Sequence, residues 1–389
     1  MNADSFQQPL VLDNARIVLQ DRELERGSVV VDSGLIAAVA DLAPAIPGAV
    51  TVDLTGMALL PGFIDVHIHG SAGLDVMDAT SEQLAEVSVF LASQGVTGWL
   101  PTFVPAADEA YASAVAAIAR AAQNSSGARV LGVHYEGPFV NSAQCGALHT
   151  EYFKTYSCPD DLDGLPVPSG LVRMTTLAPE IDGGVELVRE LKSRGWVISI
   201  GHTRASLEVL DAALAAGAHH MTHFMNAMAP LHHRAPGPIA WGLSHDDVTC
   251  DVIADGIHLD PFMLRLLLKV KSERGISLIS DAISAAGKGD GDYRIWGETI
   301  SVKDRRTSNS AGSIAGSVIT MLDAVRLMYA LDVSYVRLAQ LAASNPARLL
   351  GVDHECGSIE VGKRADLVAL DETGNVRLTL IGGQVAFRA

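Results

Sequence analysis

The 389-residue sequence is short of cysteine, of positive charge and of long apolar runs. Its four cysteines, Cys145, Cys158, Cys250 and Cys356, lie far apart and form no Cys-x-x-Cys pair, which argues against a disulfide framework or a thiolate zinc knuckle. Lysine and arginine total 28 against 45 acidic residues, a formal net charge of −17. No basic field is present to neutralise nucleic acid or an anionic membrane surface. The same charge predicts weak long-range attraction for an anionic small molecule. No apolar run reaches the roughly 18 residues that span a bilayer. Residues 1–10 are polar and lack the basic stretch followed by an apolar one that marks a secretory leader. Together these absences predict a cytoplasmic protein with neither a nucleic-acid nor a membrane partner.

What is present is a large core. Hydrophobic residues make up 48% of the chain and charged residues 19%, and the 36 glycines and 16 prolines are spread without a repeat. Residues 11–19, 27–31 and 35–39 read as short strands separated by turns such as Asp32-Ser-Gly. The texture changes at Leu59-Leu-Pro-Gly-Phe63. Eight apolar runs follow, at 62–67, 96–102, 130–135, 172–177, 196–200, 219–224, 248–253 and 276–280. Helical spacing fills most of the gaps, at 81–94, 107–123, 183–194, 205–216 and 261–274. Thr203 is a plausible N-cap of the fourth of these and Gly217 its C-terminal stop. Apolar strands alternating with helices predict a parallel sheet covered on both faces, and eight units fit a closed (β/α)8 barrel of the TIM type. Two or three helices are expected over 318–350, and the tail from 357 returns to strand texture. The predicted organisation is α/β. A barrel over 61–354 is flanked by a small β-sandwich domain built from residues 1–60 and 355–389.

The polar residues fall at one end of this map. His67 and His69 close the first strand, where alternation puts positions i and i+2 on one face. Glu136 follows the third strand, His202 the fifth, His223 the sixth and Asp281 the eighth. All six stand at carboxyl ends of strands, where a barrel assembles its active site. Imidazoles and carboxylates suit a catalytic zinc, with iron or manganese as alternatives. Six ligands exceed what one tetrahedral ion uses, and two adjacent ions bridged by Glu136 would use them economically. His219, His220, His245, His354 and the cysteines are read as structural, and His134 and Asp65 as packing or supporting residues. The glycine-rich segment 311–316 lacks the lysine of a phosphate loop.

At these residues the sequence resembles the amidohydrolase superfamily, in its branch of amino-sugar-phosphate deacetylases. The matching segments are Pro61-Gly-Phe-Ile-Asp-Val-His-Ile-His-Gly70, His134-Tyr-Glu-Gly-Pro-Phe139, Gly201-His-Thr203, Thr222-His-Phe-Met-Asn-Ala-Met228, Asp255-Gly-Ile-His258 and the Asp281 strand end. Gly357-Ser-Ile-Glu-Val-Gly-Lys-Arg-Ala-Asp-Leu-Val368 matches a general superfamily signature. The resemblance implies metal-dependent hydrolysis of the N-acetyl group of N-acetylglucosamine 6-phosphate, to glucosamine 6-phosphate and acetate, in amino-sugar catabolism. It gives Glu136 the metal-bridging role, and with His67 and His69 kept it allows one or two divalent ions. Asp281 becomes both ligand and general acid–base. Substrate contacts carry over to Ala147, Asn226, Ala227, Arg234, His258, Ile314, Ala315 and Gly316, with Arg234 on the phosphate. The lid reads Cys145-Gly-Ala-Leu-His149 where the branch has Lys-Gly-Ala-His. A homodimer is implied as well. The alternatives are a galactosamine-type deacetylase, a D-aminoacylase-like or cyclic-amide hydrolase, or an inactive barrel kept as a scaffold.

Overall fold

The structure, a computed structural model, describes residues 8–42, 45–124 and 127–389. Residues 1–7, on which most of the leader reading rests, lie outside them. Eight strands run in chain order around one parallel sheet: Phe63–Ile68, Val96–Phe103, Gly132–Glu136, Val172–Leu177, Val197–Ile200, His220–Met221, Thr249–Ile253 and Ile276–Ile279. An Ile68–Ala282 bridge brings the last strand to the first and closes the ring. Every residue of Val96–Phe103 is buried, as expected of a barrel strand covered on both faces.

Helices occupy the expected gaps, and their ends follow local chemistry. Thr80 and Gln83 form a capping box at the start of Ser81–Ser93. Gly217 ends Leu207–Ala216 with a left-handed φ of 117°, a conformation glycine adopts without steric cost. The N-cap of that helix is Ser206, whose side chain accepts from Val209 N. Thr203, expected there, instead donates its hydroxyl to Glu180. The sixth apolar run is strand only at His220–Met221. Beyond it the chain leaves the sheet through left-handed residues His223, Met225 and Ala227. A helix at Gly237–Ser244 was not read from the sequence. The stretch 335–349 is helical throughout, with a π-helical turn at Gln340–Ser344. Among the described residues no helix is long and apolar enough to cross a membrane.

Both chain ends build a second, largely antiparallel sheet, in which Leu367–Leu370 pairs with Ala58–Pro61. A Leu35–Arg364 bridge and the contact of the Gly34 turn with Gly382 curl this sheet over a core of its own. A three-stranded sheet, Gly291–Ile295, Glu298–Lys303 and Arg306–Ser308, follows the eighth barrel strand. Its alternation is short and interrupted by charged residues, so hydrophobic patterning carries no strand signal there.

Candidate metal centre and barrel mouth

The structure brings all six candidate ligands together at the carboxyl ends of the strands, in two clusters. In one, His67 Nε2 and His69 Nε2 stand 3.2 Å apart, with Asp281 Oδ1 at 3.5 and 3.2 Å from them. In the other, Glu136 Oε1 lies 2.9 Å from both His202 Nε2 and His223 Nε2, which are 3.2 Å from each other. Ligands of a tetrahedral ion, each about 2.0–2.1 Å from it, stand about 3.3 Å apart. Both clusters therefore fit an ion. Glu136 joins them, because its second oxygen lies 3.3 Å from His69 Nε2 and 3.7 Å from His67 Nε2. All six residues are buried.

Backbone and neighbours aim the imidazoles. His69 Nδ1 donates to Thr102 O at 3.0 Å and His202 Nδ1 to Gln144 O at 2.8 Å. A carbonyl only accepts, so each contact places the proton on Nδ1 and leaves the Nε2 lone pair for an ion. Asp251 accepts from the backbone N–H of His223 and from His220 Nε2, fixing the turn that presents His223. His202, His223 and Asp281 have φ of 48°, 32° and 50°. Such left-handed backbone at non-glycine residues is uncommon and collects at functional sites.

The electrostatics favour positive charge at this point. Burial opposes charge on His69, but hydrogen bonds to Asp281 and Glu136 outweigh it and hold its pKa up to about 10. The same contest, decided by Glu136, holds His223 up to about 9. Burial would raise Glu136, yet His67, His202 and His223 hold it well below the usual carboxylate range. Asp281 is lowered too: burial is outweighed by His67 and His69. His134 differs. Burial and the adjacent His67 keep its pKa well below the ordinary value. Its Nδ1 donates to Val66 O, its Nε2 accepts from Thr176 Oγ1, and the ring packs against His67 at 4.7 Å between ring centroids.

A cavity of about 200 Å³ opens from the clusters to the barrel mouth. Of the residues expected to touch substrate, Ala147, Asn226, Ala227, His258, Ile314 and Gly316 line it. Asp255 receives His258 Nδ1 at 2.7 Å, and Nε2 of that ring has no hydrogen bond among the described residues. Ala315 does not line the cavity: it is fully buried in the apolar cluster with Ile283 and Ile295. Arg234 is not brought to it either. It lies on an exposed turn closed by a His232–Ala235 bridge, with Nη1 against His233. Gln144, Leu148 and Trp296 line the cavity without having been read from sequence, because all three arrive on segments outside the strand ends. A larger open groove of about 910 Å³ near Asp108 and Lys154 contains none of the ligands.

A model of the amidohydrolase family matches residues 58–386. The chain belongs to the amidohydrolase family. This amidohydrolase is 37% identical over 388 residues to the N-acetylglucosamine-6-phosphate deacetylase of Bacillus subtilis (strain 168), covering 97% of each chain. It is 36% identical over 378 residues to the N-acetylgalactosamine-6-phosphate deacetylase of Escherichia coli O157:H7, covering 97% of this chain and 99% of that one. Among solved structures it is similar to the N-acetylglucosamine-6-phosphate deacetylase of Thermotoga maritima, with a TM-score of 0.87 and 35% identity over 97% of this chain and 100% of that one. It is also similar to a mutant of the Mycobacterium smegmatis enzyme in complex with N-acetyl-D-glucosamine-6-phosphate, with a TM-score of 0.90 and 30% identity over 98% of this chain and 100% of that one. The family and the two ligand clusters point to a divalent metal.

Proposed function

We propose that this chain hydrolyses the N-acetyl group of N-acetylglucosamine 6-phosphate, releasing acetate and glucosamine 6-phosphate. The observation that carries the reading is the pair of ligand clusters joined by Glu136, with Asp281 facing the same cavity. His67, His69 and Asp281 would hold one ion and Glu136, His202 and His223 the other, one or both sites being filled. Zinc suits these imidazole and carboxylate donors. A bound divalent ion supplies Lewis acidity, making water acidic near neutral pH and polarising the amide carbonyl.

Asp281 does the proton work. Its lowered pKa keeps it a carboxylate at neutral pH, able to accept the proton of the water that adds to the acetyl carbon. The C–N bond then breaks, and Asp281 returns that proton to the departing nitrogen. His258, held by Asp255, presents Nε2 to the sugar, while Asn226 and Ala227 line the side assigned to the sugar phosphate.

In this reading the protein is a cytoplasmic homodimer. Its four cysteines are unpaired, as a reducing compartment favours. Arg234 is assigned the phosphate; it stands on an exposed turn outside its own chain's cavity, so in a homodimer it would serve the neighbouring subunit's site. Replacing Arg234 by alanine should raise KM for the phosphorylated sugar far more than for N-acetylglucosamine. Equal effects on both would remove the assignment. The relative that acts on the galactosamine epimer supports a second reading, N-acetylgalactosamine 6-phosphate as substrate. Acetate release measured on both epimers decides between them.

A further inference from the structure

The turn Trp296-Gly297 joins Gly291–Ile295 to Glu298–Lys303, with Ile295 paired to Glu298. Both turn residues are left-handed, at φ 51° and 81°. A two-residue hairpin of this kind favours asparagine and glycine, and a tryptophan at its first position runs against that preference. Something must offset the strain, and packing does so. The indole lies edge-on to His69, with ring centroids 5.2 Å apart and planes at 82°. It packs onto the cluster of Val104, Val140 and Leu148, so the hairpin, the lid and the first barrel strand meet on this one ring. Its buried Nε1 makes no hydrogen bond of ordinary geometry among the described residues, and neither does the buried Asp75 Oδ2. The remaining surface of the indole lines the cavity.

The proposed reaction defines what this wall would meet. An amide carbon beside Asp281 carries an oxygen, a nitrogen leading to the sugar, and an acyl chain. The sugar and its phosphate are polar and match the part of the lining that offers Asn226, Ala227 and His258. The acyl chain is the one apolar substituent. The apolar side chains lining the cavity include Trp296, Leu148, Ala147 and Ile314, and of these the Trp296 ring lies against His69. We infer that Trp296 closes an acyl subsite next to His69 and makes the enzyme selective for short N-acyl groups. This inference rests on the deacetylase reading above and adds a specificity-determining residue to it.

The test compares N-acetyl-, N-propionyl- and N-butyryl-glucosamine 6-phosphate as substrates of the metal-loaded full-length protein. A methylene added to or removed from a fitted apolar pocket changes selectivity by about 10-fold or more. The wild type should therefore favour acetyl, and Trp296→Ala should raise the butyryl-to-acetyl ratio of kcat/KM by about 10-fold. Trp296→Phe, which keeps an aromatic wall and guards against misfolding of the smaller variant, should shift the ratio less in the same direction. A ratio that moves by less than about threefold in both variants overturns the inference, well short of the effect of one methylene. So does a loss common to all three substrates, which would mark a contact with the sugar or a purely structural role. If the wild type released no carboxylate from any of the three, the deacetylase reading itself would fall.

Discussion

His67 and His69 stand at the end of an ordinary strand, whereas His202 and His223 sit where the backbone has already left the sheet in a left-handed conformation. The first pair owes its direction to strand alternation. Asp281, the third member of that cluster, is left-handed as well. It is clasped by ladder-like bonds, Asp281 N to His67 O at 2.9 Å and Ser317 N to Asp281 O at 2.7 Å. The second cluster depends on loops. Gln144 O holds the His202 ring, and Asn141 N donates to His202 O. Glu180, beyond the fourth strand, collects Asn141 Nδ2, Thr203 Oγ1 and Arg204 N at 2.6–2.8 Å. Regular sheet geometry thus fixes one half of the site, and a loop network centred on Glu180 fixes the other.

The difference can be tested by breaking each half. The largest effect belongs to Asp281→Asn, which should keep metal at the Glu136 cluster and lower kcat by about 10²–10⁴, the usual contribution of a general acid–base. Metal analysis together with acetate-release rates checks it, and full activity would remove Asp281 from its role. Next, chelation should lower activity and a divalent ion should restore it. His67→Ala and His202→Ala should each reduce metal content at their own cluster, read by elemental analysis of the purified variants. Glu180→Ala should weaken ion binding by about 10- to 100-fold, as loss of an outer-shell partner does. That weakening should appear at the His202 cluster and spare the His67 cluster. Glu180→Gln, which can still accept from Asn141 and Arg204, should lose less. Equal weakening at both clusters would erase the distinction drawn between them.

The smallest effect lies far from both. In the terminal sheet, backbone and side-chain hydrogen bonds from Asn375 and Thr373 lower the pKa of Asp371 from 3.8 to about 2. A folded-state pKa below the unfolded value adds stability above about pH 4, and this is lost as pH falls through about 2. The group is only partly buried on a surface turn, so solvent screening keeps the effect below about 1 kcal/mol. Melting temperatures of Asp371→Asn and wild type should differ slightly at pH 6 and converge near pH 2, with metal content unchanged.

The same contrast explains what was legible in the sequence. The eight strands and most helices follow from hydrophobic periodicity, and a ligand at a strand end is found by its position alone. That is how His67, His69, Glu136, His202, His223 and Asp281 could all be placed. Trp296, Gln144 and Glu180 carry no such mark. Each acts through a contact with a segment distant in sequence: Trp296 meets His69 through a hairpin inserted after the last strand, and Gln144 meets His202 across 58 residues. Ala315 and Arg234 show the converse. A matching motif located their segments, but whether a side chain faces the cavity depends on local backbone direction, which turned Ala315 into a core and left Arg234 on an exposed turn. Net charge also yields to local structure. At physiological salt, exposed charges are screened beyond about 8 Å, so the overall −17 governs how fast a phosphosugar arrives more than whether it binds.

One measurement bears most directly on the whole account: acetate released from N-acetylglucosamine 6-phosphate by the purified protein, with the metal bound per chain determined on the same sample. Turnover is expected to scale with bound divalent metal and to fall with its removal. Bound metal without acetate release from either amino-sugar phosphate epimer would contradict it.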